Sequence, residues 1–334
     1  MNYEFYMNKC LELASLSEGQ VSPNPLVGAV IVNNENQIIA QARHEKFGEA
    51  HAEQNALKLA GNKAHGATLF VNLEPCNHFG KTPPCAQLII QAGIKKVVIG
   101  TKDENPKATG GIEALKQAGI EVEVGILEKE CRKLNEIFFF SLHNKRPFVA
   151  IKTATTLDGK IAAKDNSSKW ITSTNARNEV QRLRNKYDAI LTSAKTVLID
   201  NPSLTCRMEG GRNPIRIISD RKSILNNNYK VFANDGTQVL KFNCELDEMM
   251  CKLYEMGIKS ILVEAGGIFN GALLKKGLVD KIYQFIAPKV LGDNDAVSWV
   301  NGLDIFNIND TINFEIASSK IFSPDILLEL YPKM

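Results

Sequence analysis

The sequence predicts an α/β protein of two domains, and three observations favour that architecture. The length of 334 residues exceeds the usual size of a single domain. Short apolar, β-branched segments alternate with helix-forming segments along both halves of the chain. A polar stretch that ends in proline, residues 143–147, interrupts this alternation near the middle. We therefore predict one domain over residues 1–145 and a second over residues 146–334.

The first half is typical of a three-layer α/β/α sandwich. Polar residues 33–36 read as the turn of a hairpin between its first two strands. The predicted strands are residues 27–32, 38–40, 67–72, 95–100 and 121–124. The predicted helices are residues 52–60, 85–92, 111–119 and 127–143.

The second half predicts an α/β domain with a largely parallel sheet, because its strands alternate with helices. The predicted strands are residues 148–154, 189–192, 215–219, 239–242, 260–264 and 281–287. The predicted helices are residues 176–186, 246–256 and 269–276, and residues 196–207 are predicted as a long loop.

The composition of the chain argues against several classes of function. A net charge of +3, with acids and bases interspersed, argues against a nucleic-acid-binding surface. No apolar run approaches the ~18 residues of a membrane span, and the start of the chain does not resemble a signal peptide. Seven cysteines without framework spacing indicate a reducing compartment, so we expect a cytoplasmic protein.

A split group of metal-binding residues is the strongest functional signal. His51 is followed by Glu53, and Cys76 and Cys85 come later with eight residues between them. One His, two Cys and a Glu that is not a ligand form the signature of zinc deaminases. Three ligands leave the fourth position of a tetrahedral zinc open for water, whose pKa the metal lowers. Glu53 does not share a helix face with His51, so we predict that it carries protons beside the metal.

Two other interpretations of this group remain open at the level of sequence. His44 or His78 could complete a closed structural zinc site. The cysteines could also be ordinary buried thiols. The eight-residue gap, where the commonest deaminases have two residues, indicates a subfamily with a loop insertion.

Candidate ligand-binding residues in the second half follow predicted strands. Glu264 ends an apolar strand, and the glycine pair at 266 and 267 opens a helix whose free amides could bind phosphate. Lys152 lies in an apolar strand, either on a solvated face or facing a crevice where it could bind phosphate. The 196–207 segment is either an ordinary surface loop or part of a site. The G-x-G-x-x-G dinucleotide fingerprint does not occur in the sequence.

Several motifs together resemble the bifunctional deaminase/reductase family of riboflavin biosynthesis. These are NHFGKTPPC after HAE, K-x-A-x-T-L-D-G-K, S-K-W-I-T, T-V-L-x-D-N-P and V-E-A-G-G, and they cover nearly the whole chain in the family's order. The resemblance implies an N-terminal cytidine-deaminase-like α/β/α sandwich and a C-terminal dihydrofolate-reductase-like α/β domain. It also implies Zn2+ and NADPH as cofactors. Phe70, where the family usually has Tyr, is expected to be a core exchange.

The activity implied by the resemblance has two consecutive steps. The first is zinc-dependent hydrolytic deamination of 2,5-diamino-6-(5-phosphoribosylamino)pyrimidin-4(3H)-one. The second is NADPH-dependent reduction of the ribosyl group to ribityl. The implied partners are this small-molecule pyrimidine ribosyl phosphate and further copies of the chain in a homo-oligomer, with no nucleic acid and no membrane.

The resemblance also assigns residues to sites. It implies His51, Cys76 and Cys85 as zinc ligands, and Glu53 and Lys152 as catalytic residues. The implied deaminase substrate residues are Asn24, His44, Asn77 and His78. The implied reductase substrate residues are Ser168, Arg184, Leu204, Arg207 and Glu264, among which the arginines suit a phosphate. The implied NADPH residues are Ala154, Trp170, Thr196, Asp200, Gly266, Gly267, Ile268, Phe269, Asn270, Gly271 and Ala272.

Two functions of other classes compete with this one. A nucleic-acid-editing deaminase with an appended binding domain would need basic and aromatic residues interleaved, which the sequence does not show. A structural zinc fold with a ligand-sensing domain would have no catalytic activity. Metal analysis together with NADPH binding separates the three.

Overall fold

The computed structural model describes residues 1–78 and 83–333, so residues 79–82 of the insertion between the cysteines lie outside the described residues. The chain divides into two units, Met1–Asn144 and Lys145–Met334. The division falls within the polar stretch at residues 143–147. Along the described residues, no helix is both long enough and apolar enough to cross a bilayer.

The first unit contains one five-stranded sheet in the order β2-β1-β3-β4-β5. β1 runs antiparallel to β2 and β3, whereas β3, β4 and β5 are parallel. Its strands are β1 (Gly28–Val32), β2 (Ile38–Arg43), β3 (Thr68–Leu73), β4 (Lys96–Thr101) and β5 (Glu121–Val124). Its helices are α1 (Tyr3–Ser15), α2 (Ala52–Ala60), α3 (Cys85–Gln91), α4 (Gly111–Gln117), α5 (Glu128–Leu134) and α6 (Glu136–His143).

Alternate residues of the central strands pack into two cores, which makes the unit a three-layer sandwich. Ile31 and Val71 face the core that α2, α3 and α4 cover. Val30 and Phe70 face the other core, which α1 and α5 cover. Phe70 is fully buried between Tyr3 and Tyr6, where a ring without a hydroxyl needs no hydrogen-bond partner. The predicted α/β/α class is confirmed for this unit.

Two local predictions for the first unit need correction. Residues 3–15 form α1, a helix that was not predicted. The single helix predicted over 127–143 is wrong, because the chain leaves helical geometry at Asn135, where φ is −101° and ψ is 24°. The Asn135 side chain is buried there and bonds the backbone of Leu26, a long-range contact that local periodicity does not reveal.

The second unit contains an eight-stranded sheet in the order β10-β9-β8-β11-β6-β12-β15-β14 and a two-stranded sheet of β7 and β13. The larger sheet contains β6 (Phe148–Thr155), β8 (Ala189–Ser193), β9 (Ile215–Ser219), β10 (Val239–Phe242), β11 (Ser260–Val263), β12 (Lys281–Ile286), β14 (Phe314–Phe322) and β15 (Asp325–Pro332). The smaller sheet pairs β7 (Lys160–Ala162) with β13 (Val297–Ser298). The helices are α7 (Thr174–Lys186), α8 (Ala194–Asp200), α9 (Leu246–Glu255) and α10 (Gly267–Lys275).

The larger sheet is parallel from β10 to β12 and ends in antiparallel β15 and β14. The predicted, largely parallel sheet is therefore confirmed, and the antiparallel hairpin is an addition to it. The prediction of a loop over residues 196–207 is wrong at its start, because residues 194–200 form α8. Ser193 caps this helix by accepting a hydrogen bond from the Thr196 amide.

Candidate metal centre and ligand cleft

The three predicted metal ligands meet at the ends of different elements. His51 caps α2, Cys76 follows β3, and Cys85 is the first residue of α3. His51 Nδ1 lies 3.3 Å from Cys85 Sγ and 3.6 Å from Cys76 Sγ. A tetrahedral zinc holds nitrogen and sulfur ligands about 3.6 Å apart, given bonds of about 2.1 and 2.3 Å. The donor atoms therefore fit zinc in both kind and spacing.

The surroundings of Cys76 favour its thiolate, whereas the hydrogen bond to Cys76 and burial raise the pKa of the Cys85 thiol. The backbone amide of Cys85 points at Cys76 Sγ across 3.4 Å, at the beginning of α3. The pKa of Cys76 is lowered to about 4, first by the hydrogen bond from the Cys85 thiol and then by His51. A thiolate is the form that binds a metal.

Glu53 lies beside this group and is only 3% exposed. Burial raises the pKa of its carboxyl to about 7, against the opposing charge of His51. A carboxyl that titrates near neutral pH can both accept and donate a proton, as a proton carrier must. Its place at the second residue of α2 keeps it out of the ligand set.

His44 and Asn24 form a pair next to the metal ligands. His44 Nδ1 lies 3.0 Å from the Ala50 carbonyl oxygen and must donate to it, which leaves Nε2 to accept from Asn24 Nδ2 at 3.2 Å. A ring whose Nε2 accepts a hydrogen bond is neutral, and burial lowers the pKa of His44 in the same sense. The centroids of the His44 and His51 rings are 5.4 Å apart. Neither His44 nor the exposed His78 joins the ligand group, which contains no fourth side chain within residues 1–78 and 83–333.

Glu74, two residues before Cys76, is buried and was not among the predicted site residues. Its carboxylate accepts hydrogen bonds from the amides of Asp103, Gly110 and Ile112, each at 3.2 Å. The amide of Asn77, which is exposed, donates to the carbonyl of Ala108 at 3.1 Å in the same loop. Glu74 thus fixes the loop after β4 against the segment of Cys76, a role that spacing along the chain cannot reveal.

The second unit contains a cleft of about 930 Å³. It brings together most of the residues assigned to substrate and NADPH. These are Lys152, Ala154, Ser168, Trp170, Arg184, Thr196, Asp200, Leu204, Arg207, Glu264, Gly266, Gly267, Ile268, Phe269 and Ala272. Asn270 and Gly271 do not line it.

A bidentate ion pair lies in the cleft wall. Arg184 Nε and Nη2 donate to the two Glu264 oxygens at 2.7 and 2.9 Å, and Nη1 donates to the Thr205 carbonyl at 2.8 Å. Burial favours the neutral form of Glu264, but the charges of Arg184 and Lys152 outweigh it and lower its pKa to about 2. Burial also lowers the pKa of Lys152. The guanidinium of Arg184 is thus directed at Glu264, which makes Arg207 the better candidate for a phosphate.

The glycine-rich segment packs closely against residues 298–301, at and after the end of β13. A side chain at Gly267 would lie 2.2 Å from the Ser298 carbonyl oxygen, and one at Gly271 would lie 1.8 Å from that of Asn301. Asn270 Nδ2 donates to the Trp299 carbonyl oxygen at 2.8 Å. Asn270 and Gly271 therefore pack α10 in place, while Gly266, at its N-cap, has open space beside it. A helix start with free amides suits the phosphates of NADPH.

Several basic residues that line the cleft were not among the predicted site residues. Arg177 stacks on the exposed ring of Trp170 at 4.5 Å, and Arg221 and Lys222 follow β9 at the cleft edge. Basic residues directly after a buried parallel strand are a signal that the sequence contained. Lys195 and Lys276 also line the cleft.

Comparisons with known proteins match each half of the chain to a protein family. Residues 1–101 match the family model for the cytidine and deoxycytidylate deaminase zinc-binding region, and residues 147–328 match that for the RibD C-terminal domain. The chain is 40% identical to the riboflavin biosynthesis protein RibD of Bacillus amyloliquefaciens, over 99% of this chain and 96% of that protein. It is 43% identical to RibD of Aquifex aeolicus, over 97% and 96%. The chain belongs to the RibD family.

Solved structures agree with this assignment. The chain matches a diaminohydroxyphosphoribosylaminopyrimidine deaminase/5-amino-6-(5-phosphoribosylamino)uracil reductase of Thermotoga maritima with a TM-score of 0.92, at 40% identity and 99% coverage of both chains. It matches RibD of Acinetobacter baumannii with a TM-score of 0.90, at 35% identity and 99% coverage of both. RibD proteins are bifunctional deaminase/reductases of riboflavin biosynthesis that use zinc and NADPH. The predicted fold class, enzyme class and cofactors are confirmed, and the nucleic-acid-editing and non-enzymatic alternatives are wrong.

Proposed function

We propose that residues 1–145 deaminate 2,5-diamino-6-(5-phosphoribosylamino)pyrimidin-4(3H)-one and that residues 146–334 reduce the ribosyl group of the product to ribityl. The observation that carries the first half is the His51, Cys76 and Cys85 group with Glu53 buried beside it. Bound zinc supplies Lewis acidity that makes water a nucleophile at neutral pH. Glu53 takes up the proton of that water and delivers it to the departing amine.

The pyrimidine ring is held by side chains on the open side of the ligand group. Asn24 and the neutral His44 are the first two, since their shared hydrogen bond fixes the orientation of both side chains. Asn77 and His78 follow Cys76 directly and are exposed, so they can reach a substrate.

In the reductase cleft, NADPH supplies the hydride, and the protein orients it and excludes water. We assign its phosphates to the start of α10 and one flat ring to Trp170, whose face Arg177 already covers on one side. Lys152 lies next to the reducible sugar. Arg184 holds Glu264 ionised beside that position, and Arg207 takes the substrate phosphate, for which a guanidinium is suited.

The same proposal includes a homo-oligomer in the cytoplasm, without nucleic acid or membrane as a partner. The β14–β15 hairpin supports self-association because Ile316, Ile321 and Ile326 are 60%, 74% and 42% exposed. Apolar side chains grouped on an edge hairpin favour a protein partner. Seven unpaired cysteines suit a reducing compartment.

The experiment that tests the proposal supplies the diamino pyrimidine ribosyl phosphate and NADPH together. We expect ammonia release first and NADPH oxidation after it. When the deaminated pyrimidine is supplied instead, NADPH is oxidised without ammonia. NADPH oxidation that precedes ammonia release, or that proceeds with a non-phosphorylated analogue equally well, would contradict the assignment.

A further inference from the structure

Two side-chain amides bind the backbone of the segment that carries Asn24. Asn135 Oδ1 accepts from the Leu26 amide at 2.7 Å, and its Nδ2 donates to the Leu26 carbonyl at 2.9 Å. Asn72 Nδ2 donates to the same carbonyl at 2.9 Å, and its Oδ1 accepts from the Gly28 amide at 2.8 Å. The backbone of Leu26 is thus fixed by Asn72 of β3 and by Asn135, which lies between α5 and α6.

Both amides occupy positions where an apolar side chain would otherwise be expected. Asn72 is 0% exposed and lies in β3, whose other residues from Leu69 to Leu73 are buried and apolar. Asn135 is 3% exposed and ends α5. Burying an amide is unfavourable unless its hydrogen bonds are made, and a fully bonded buried amide fixes one arrangement of its partners. The arrangement fixed here is that of residues 26–28.

This segment reaches the deaminase site within two residues. Asn24 precedes Leu26 by two positions and donates to His44 Nε2. On the other side, the Val27 carbonyl accepts from the backbone amide of His44 at 2.9 Å. Movement of the Leu26 peptide would therefore displace both members of the Asn24–His44 pair.

We propose that Asn72 and Asn135 are positioning residues of the deamination step, which hold Asn24 and His44 at the distance and orientation needed to bind the pyrimidine. The inference rests on the proposed role of Asn24 in substrate binding. It assigns no direct contact with substrate to either amide. It also gives the break between α5 and α6 a function, since an unbroken helix would carry residue 135 in another direction.

The test is a double-mutant cycle on ammonia release, with kcat and KM measured separately. Asn135→Ala should lower kcat/KM about tenfold, mostly through KM, because a misplaced Asn24 weakens ground-state and transition-state binding alike. Asn24→Ala combined with Asn135→Ala should lose no more than Asn24→Ala alone, because residues that act through one another are not additive. Asn72→Ala should behave like Asn135→Ala.

Three controls separate positioning from a general loss of structure. Zinc content should stay unchanged, and NADPH oxidation with the deaminated substrate should stay at the wild-type rate. Asn144→Ala removes an amide that donates to the Phe140 carbonyl at 3.0 Å in the same unit, and it should leave KM unchanged. If the Asn135→Ala variant loses zinc, the cycle is repeated with Asn135→Asp. The aspartate keeps an oxygen that can accept from the Leu26 amide.

The outcomes that overturn the inference are distinct. Losses of Asn24→Ala and Asn135→Ala that multiply in the double variant would show that Asn135 acts independently of Asn24. Loss of zinc in both Asn135 variants would make the amide part of the metal centre instead. If Asn24→Ala deaminates at the wild-type rate, the proposed role of Asn24 is itself wrong, and the positioning role falls with it.

Discussion

The zinc centre and the reductase cleft are assembled from the sequence in different ways. The metal ligands come from residues 51–85 and converge until their ligand atoms lie within 4.8 Å of one another. The cleft takes its lining from residues 152–301, with contributions from many strand ends and loops. A site built from one short stretch keeps a readable spacing, whereas a site built across a parallel sheet does not. This difference explains why local spacing predicts the first site, whereas the second could be predicted mainly by resemblance.

The two sites also shift the pKa of a buried carboxyl in opposite directions. Glu53 lies beside two thiols and His51, and burial outweighs the charge of His51 and raises the pKa of the carboxyl to about 7. Glu264 faces Arg184 and Lys152, whose charges lower its pKa to about 2 despite burial. The first carboxyl can exchange protons at neutral pH, and the second stays ionised. We therefore expect the two residues to respond differently to the same substitution.

The largest effect is expected from Glu53→Gln. It removes the proton carrier and should lower ammonia release by roughly a hundredfold to ten-thousandfold. Zinc content and NADPH oxidation with the deaminated substrate should not change, as metal analysis and absorbance will show. Glu35→Gln, at an exposed turn of the same unit, is the matched control. Ammonia release at the wild-type rate in Glu53→Gln would show that Glu53 is not the proton carrier.

Glu264→Gln should have the next largest effect, on reduction alone. It leaves the Arg184 charge without its bidentate partner in a buried wall, which typically costs about 3–5 kcal/mol. NADPH oxidation should fall by about a hundredfold, or the thermal unfolding of this unit should shift to lower temperature. Ammonia release should be unchanged, and exposed Glu255→Gln is the control. Equal loss of both activities in a folded protein would contradict separate sites.

The pH dependence of reduction should report the charge of Lys152 in the reductase cleft. Burial lowers the pKa of Lys152 from 10.5, so its positive charge is present at low pH and lost as the pH rises through that lowered value. We expect kcat/KM for reduction to fall on the alkaline side, with a midpoint below 10.5. Lys152→Met should be slow at every pH and should lack this alkaline limb. An alkaline limb that persists in Lys152→Met would assign it to another group.

The smallest effect is expected from Trp170→Ala. The ring is exposed and stacked on Arg177 at 4.5 Å, so its removal costs one face of packing for the cofactor. KM for NADPH should rise several-fold, by about 1 kcal/mol, with kcat nearly constant. Phe306→Ala, at a side chain that is 96% exposed, serves as the control. An unchanged KM for NADPH would show that no ring of the cofactor packs on Trp170.

What the sequence could predict follows from the range of the interactions. Strands such as residues 28–32 and helices such as residues 52–60 have local patterns, and these were predicted closely. The break at Asn135 depends on a bond to Leu26 that is distant in sequence, and so does the fixing of the loop after β4 by Glu74. The inward side of α10 could not be predicted either. Only the packing against residues 298–301 shows that Asn270 and Gly271 face away from the cleft.

Removal and return of the metal test most directly whether deamination depends on zinc. The purified protein should contain about one zinc per chain, and a chelator that removes it should abolish ammonia release. NADPH oxidation with the deaminated substrate should continue at its original rate, and added zinc should restore ammonia release. Metal-free protein that still releases ammonia at full rate would show that deamination does not need the His51, Cys76 and Cys85 site.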